Sequence, residues 1–166
     1  MLPERVELRD ALDATAHDLL AYFQRRLRIQ EDAADMLSET MLQAYRRIDA
    51  LPPGDSSRQR MWLFTIAANV LANHLRSVKR RHALVERLRD QITASAGPDT
   101  AEEVAVRDAV LRLNAAQREL VMLIHWDGFT IVEAAELLGL NSSTARGRYA
   151  AARQTLKNAL TETADR

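Results

Sequence analysis

Apolar residues recur every three or four positions through almost the whole chain, and only two clusters of helix-breaking residues interrupt them. This periodicity writes one apolar stripe on each of a series of helices. In the first segment the stripe is Leu12, Leu19, Tyr22 or Phe23, and Leu27. In the second, Ala34, Leu37, Met41, Tyr45 and Ile48 predict an amphipathic helix over about residues 31–50. The run "LPPGDSS" stops it, since two prolines, a glycine and Asx/Ser residues specify a loop. A long helix comes next through "RMWLFTIAANVLANHLRSVKRRHALVERL", with Ser57 as its expected cap. The second cluster, "TASAGPDT" at 93–100, reads as an interdomain linker. Helices are then expected near 100–112, 115–125, 130–138 and 142–161, with "HWDGFT" breaking the middle pair. The fold class is all-α: a three- to four-helix domain over 1–90, a short linker over 91–99, and a four-helix domain over 100–166.

Composition agrees. Five Gly and four Pro among 166 residues favour helix, and 47% hydrophobic residues suffice for a core. No cysteine occurs, which excludes disulfides and thiolate metal sites within the chain. No apolar run approaches the ~18 residues of a membrane span, and "MLPERVELRD" lacks an apolar signal core. The expectation is a soluble, intracellular protein.

The overall charge is zero, yet it is unevenly spread. Residues 1–55 carry a net of −4, 56–90 a net of +6, 91–140 a net of −5, and 141–160 a net of +4 with no acid at all. Two basic blocks between acidic ones suggest two contact surfaces for a polyanion.

The second basic block sits in a recognisable motif. In "IVEAAELLGLNSSTARGRYAAARQTL", Ala135 lies four residues before Gly139, with Leu138, Leu140 and Ala145 around the turn. This is helix-turn-helix spacing. A small Ala135 lets two helices approach, Gly139 supplies the positive φ that ends the first, and Asn141 or Ser142 caps the second. Ala145, Tyr149, Ala152, Leu156 and Leu160 form the expected buried seam. The remaining face offers Ser142, Ser143, Thr144, Arg146, Gly147, Arg148 and Arg153 as DNA contacts. A recognition helix places such residues on base edges and phosphates in the major groove. Gly147 costs about 1 kcal/mol inside a helix, which is explained either by close approach of a backbone or phosphate or equally as a tolerated flaw.

The first basic block ends the long helix in "HLRSVKRRH". Arg58, Arg60, Arg76, Lys79, Arg80 and Arg81 cluster with Trp62, Phe64, Asn69 and Asn73. Cations beside amides and aromatics suit melted DNA. Trp62 and Phe64 are equally read as core, the two asparagines less so. Enzyme classes find no support: no H-E-x-x-H, G-x-S-x-G, P-loop or Cys/His cluster is present, and His17, His74, His82 and His125 are scattered. No metal or cofactor is implied. One function compatible with these residues is a stand-alone helix-turn-helix regulator that binds duplex DNA.

Three stretches together resemble one family and point to a different kind of DNA-binding protein. "DAADMLSETMLQAYRRID" is similar to the region-two signature of bacterial RNA polymerase sigma factors of the extracytoplasmic-function group. "RMWLFTIAANVLANHLRSVKRR" resembles its W-L-x-x-I-A-x-N continuation, and "LNAAQRELVMLIHWDGFTIVEAAELLGLNSSTARGRYAAARQTLKNAL" its region four. The resemblance covers roughly 18–82 and 100–160. It implies a transcription initiation factor and no enzyme. Its partners would be core RNA polymerase, promoter DNA and a separate anti-sigma protein. The resemblance places polymerase binding on Asp35, Ser38, Glu39 and Leu42, four positions at i, i+3, i+4 and i+7. It places capture of a flipped minus-ten base on the loop with Asp55, Ser56, Ser57, Arg58 and Arg60, and contact with the melted strand on Asn69, Asn73, Arg76, Lys79 and Arg80. The helix-turn-helix would read the minus-thirty-five element. The chain departs from the family at Gln59, where an aromatic is common, and at Ala68, where an Arg is common. Ala145-Arg146-Gly147-Arg148-Tyr149 replaces the usual V-K-S-R-L. No C-terminal sensing domain is expected, which puts regulation in a separate protein.

Overall fold

The computed structural model describes residues 3–27, 29–85 and 101–164. Among them lie seven α-helices, one 3-10 turn and no strand: α1 (Pro3–Arg26), α2 (Gln30–Arg46), the turn (Ile48–Ala50), α3 (Ser56–Val85), α4 (Ala101–Leu111), α5 (Ala115–His125), α6 (Ile131–Leu137) and α7 (Ser142–Ala164). They form two units, residues 1–91 and 92–166. The expected linker over 91–99 lies outside the described residues.

In the first unit α1, α2 and α3 pack against one another in all three pairings. Leu8, Leu12, Leu19, Tyr22 and Phe23 of α1 and Leu63, Phe64, Ile66, Ala67 and Val70 of α3 are all buried, and the two helices pack together. Tyr22 and Phe23 are both inside, and Tyr22 packs edge-on against Phe64 at 5.4 Å. The stripe of α2 is rotated from its sequence expectation. Ala33, Thr40 and Ala44 are buried, whereas Tyr45 is 47% exposed and Ala34 lies at the surface. The small residues won because they admit two neighbouring helices at close range, and a Tyr in that row would force them apart. Thr40 is satisfied by donating to the Met36 carbonyl at 2.7 Å. Cross-ties join the helices: Arg60 of α3 reaches Asp18 of α1 at 3.4 Å, and His74 of α3 reaches Asp32 of α2 at 3.6 Å.

In the second unit α7 packs on α4, α5 and α6. Leu113, Val121 and Ala152 form a buried cluster with Tyr149 and Leu156 against it. Two capping boxes start α5 and α6, Asn114 with Gln117 and Thr130 with Glu133. Arg118 donates to the carbonyls of Val110, Leu111 and Leu113, so one cation closes the end of α4. The seam of α7 runs through Ala145, Tyr149, Ala152, Leu156 and Ala159, while Leu160 is 40% exposed. The expected Leu160 is therefore replaced by Ala159, the position that continues the alternating steps of four and three.

Candidate nucleic-acid and polymerase interfaces

The helix-turn-helix is built from α6, a tight turn and α7. Gly139 has φ +64, the left-handed conformation that suits glycine. The Leu140 N–H donates to the Ala135 carbonyl at 2.8 Å and the Gly139 N–H to the Glu136 carbonyl at 3.1 Å. Those two bonds are the Schellman pattern that ends α6. Asn141 then caps α7, its Oδ1 accepting from the Thr144 N–H at 2.7 Å. The choice between Asn141 and Ser142 as cap is thus settled for Asn141.

Beyond that cap, Ser143, Arg146, Gly147, Arg148 and Arg153 are exposed, and Ser142 and Thr144 are half-buried. Lys157, outside the expected set, continues the row Arg146, Ala150, Arg153 on one face. Among the described residues Arg146, Arg148 and Lys157 take part in no ion pair, so their charge faces outward. Arg153 lies 6.0 Å from the Tyr149 ring, whose hydroxyl is 2.9 Å from Nε2 of His125. A Cβ built on Gly147 meets nothing within 4 Å. The fold of the unit therefore does not require glycine there.

In the first unit the cations divide into two kinds. Arg60 is engaged internally, paired with Asp18 and stacked over Phe64 at 4.7 Å. Arg58 is exposed and pairs with Asp55 at 3.5 Å. Asp55 is itself the cap of α3, accepting from the Ser57 and Arg58 N–H groups at 3.0 and 3.1 Å. The cap expected at Ser57 belongs to Asp55, because the helix begins two residues earlier than that cap implies, at Ser56. Ser56 and Ser57 are exposed. Phe64 is core and Trp62 only half-buried.

Further along α3 the pattern changes. Asn69, Asn73, Arg76, Lys79 and Arg80 are all exposed. Asn69, Asn73, Arg76 and Arg80 step by four, three and four, so they make a single amide-and-cation stripe about 16 Å long. Arg76 donates to the Asn73 side-chain oxygen, which orders both groups on that face.

On α2, Asp35, Ser38 and Leu42 are exposed and Glu39 half-buried, one row away from the buried Ala33, Thr40 and Ala44. Ser38 donates to the Ala34 carbonyl, and Glu39 accepts from Gln43 at 3.0 Å. Two carboxylates, Asp35 and Glu39, thus share a row with a 45% exposed leucine, Leu42. Among the described residues no cluster of His, Cys, Asp and Glu has the arrangement to hold a metal, and no helix is long and apolar enough to cross a membrane.

Sequence reasoning missed Glu7 of α1 and singled out Gln59 only as a departure from the family; together Glu7 and the buried Gln59 of α3 hold the loop before α3. No periodicity or spacing signal connects α1 with that loop.

Comparison with known proteins matches this arrangement. The family model for Sigma-70 region 2 matches residues 12–81, and that for Sigma-70, region 4 matches residues 103–156. The ECF RNA polymerase sigma factor EcfG of Rhodopseudomonas palustris is 30% identical over 157 residues, covering 93% of this chain and 86% of the relative. The ECF RNA polymerase sigma factor SigL of Mycobacterium tuberculosis is 28% identical over 144 residues, covering 82% and 80%. Among solved structures, the sigma factor RpoE in complex with the anti-sigma factor NepR from Bartonella quintana superposes with a TM-score of 0.74 at 24% identity, covering 93% of this chain and 97% of that one. The chain belongs to the ECF group of RNA polymerase sigma factors of the sigma-70 family.

Proposed function

We propose that this sigma factor docks on core RNA polymerase through the Asp35, Ser38, Glu39 and Leu42 row and reads its promoter with one element per unit. The single observation that carries this reading is the pairing of two outward, acid-free contact surfaces on separate units. One is the Asn69–Asn73–Arg76–Arg80 stripe of α3, and the other is the Arg146–Arg153–Lys157 face of α7. The first has the amides and cations for an opened strand at the minus-ten element. The second has the helix-turn-helix placement for the major groove at the minus-thirty-five element. The domains assigned to these tasks are 1–90 and 100–166, with 91–99 as linker. Ser142, Ser143, Thr144, Arg146, Gly147, Arg148 and Arg153 contact the upstream duplex. Ser56, Ser57, Arg58, Asn69, Asn73, Arg76, Lys79 and Arg80 contact the minus-ten region. Asp55 and Arg60, as cap and cross-tie, position the loop and helix there. The role is that of a dissociable factor and involves no covalent step, and it is exercised in the cytoplasm, where polymerase and chromosome meet. The anti-sigma complex of the RpoE structure supports a separate protein of that kind as the regulator of this chain.

Polymerase dependence tests the reading against a stand-alone regulator. With labelled promoter DNA, the chain alone is expected to bind weakly and the chain with core polymerase tightly. Asp35→Lys with Glu39→Lys is expected to abolish the second signal. Tight, salt-sensitive binding of duplex DNA by the chain alone, unchanged by polymerase, would contradict it.

A further inference from the structure

The loop Leu51–Asp55 joins the 3-10 turn to α3, and its backbone has almost nothing with which to hold itself. Pro52 and Pro53 have no N–H, so Gly54 supplies the first donor after Leu51. Gly54 has φ +67, and its N–H is taken by Oε1 of Glu7 at 2.6 Å. The same Oε1 accepts from Nε2 of Gln59 at 2.8 Å, and that Nε2 also donates to the Pro52 carbonyl at 2.9 Å. Gln59 is 7% exposed. Two side chains from two helices thus grip the loop on both sides of Pro53. The grip includes a carboxylate acceptor, whose bonds are stronger than neutral ones. Asp55, next in sequence, is committed to capping α3. Pro53, Gly54, Ser56 and Ser57 are left as the exposed surface.

We propose that Glu7 and Gln59 form a clasp that fixes the shape of the loop and so sets which base is accepted at the promoter position that the loop meets. They are positioning residues: Gln59 is buried, and Oε1 of Glu7 is taken up by the loop and by Gln59. The proposal rests on the proposed function, in which this loop faces the minus-ten element. It gives Gln59 a role of its own: the amide's two N–H donors bridge a carboxylate and a carbonyl, whereas Phe, Tyr or Trp at this position carries at most one donor.

The test is transcription by core polymerase with the full chain on a promoter series in which each minus-ten position is varied in turn. The chains compared are wild type, Glu7→Ala, Gln59→Leu and Glu7→Gln. Loss of a hydrogen bond of ordinary net strength lowers discrimination by about fivefold. Glu7→Ala and Gln59→Leu should therefore flatten base preference about fivefold at one minus-ten position. Preference at the other positions and at the upstream element should stay within about twofold of wild type. Glu7→Gln keeps an acceptor oxygen for Gly54 and should retain the wild-type profile. Exchange of the Gly54 amide should accelerate in Glu7→Ala and not in Glu7→Gln. Normal transcription with an unchanged base profile in both Glu7→Ala and Gln59→Leu overturns the clasp alone. A uniform loss at all positions, with a lowered melting temperature, also overturns it, because it assigns the pair to stability only. Absence of any transcript that depends on the wild-type chain overturns the initiation-factor reading together with the clasp.

Discussion

Gly147 offers the sharpest separation of folding from function. It lies in the second turn of α7, on the exposed face between Arg146 and Arg148, and a Cβ at this position meets no atom within 4 Å. Its backbone is not in the left-handed region, so alanine fits without strain. Gly147→Ala should therefore stabilise α7 by about 1 kcal/mol, the helix-propensity difference between the two residues. Hydrogen exchange of the full chain measures this directly. A gain of that size slows exchange of α7 amides that open with the unit by about fivefold. The second half of the prediction has the opposite sign. If glycine is kept because a phosphate comes against the bare helix, the added methyl costs about 1–3 kcal/mol there, as overfilled contacts do. Promoter binding by the chain with polymerase should then weaken by roughly tenfold while the free chain becomes more stable. Faster α7 exchange would refute the open-space argument. Slower exchange with unchanged promoter affinity would refute the close-approach argument and leave Gly147 a tolerated cost.

Other substitutions separate the surfaces. Arg146→Ala and Arg148→Ala should each lower the slope of log affinity against log salt by about one, with the minus-ten profile unchanged, measured by titrating promoter binding against salt. Asn141→Ala removes the cap from the Thr144 N–H and should destabilise the start of α7 by about 1 kcal/mol, read as faster exchange of its first-turn amides. Gly139→Ala places a side chain at φ +64 and should cost the second unit about 1–2 kcal/mol, visible as a lower denaturation midpoint for that unit. Arg60→Ala should lower the stability of the first unit while leaving the salt slope of promoter binding unchanged, because its guanidinium is spent on Asp18 and Phe64.

Much of this molecule was legible in its sequence, for identifiable reasons. The elements are helices with breakers between them, and period and breakers are both local signals. The helix-turn-helix was legible down to Gly139, because a positive φ at a helix end is chemistry carried by one residue. The stripe of α2 was read one row off, because ranking by hydrophobicity favours Tyr45 over Ala44, whereas the packing selects small residues. Leu160 and Ala159 in α7 repeat the error at the other end of the chain. At Asp55 and Arg60 the resemblance pointed to DNA contact and could not show the tasks the fold gives them: one caps a helix and the other ties two helices together. The Glu7–Gln59 contact was invisible, because it spans 52 residues of sequence and involves two ordinary polar side chains. The one signal at this loop was Gln59 itself, standing where the family commonly has an aromatic.

The central claim is that the two units act together to start transcription at promoters with two spaced elements. Transcription by sigma-free core RNA polymerase on fragmented DNA from the source genome, with and without this chain, tests it most directly once transcript starts are mapped. Chain-dependent starts are expected that share two upstream elements at fixed spacing and that disappear when Arg146 and Arg148 are both replaced by alanine. No chain-dependent starts, with tight binding of duplex DNA by the chain alone, would contradict it.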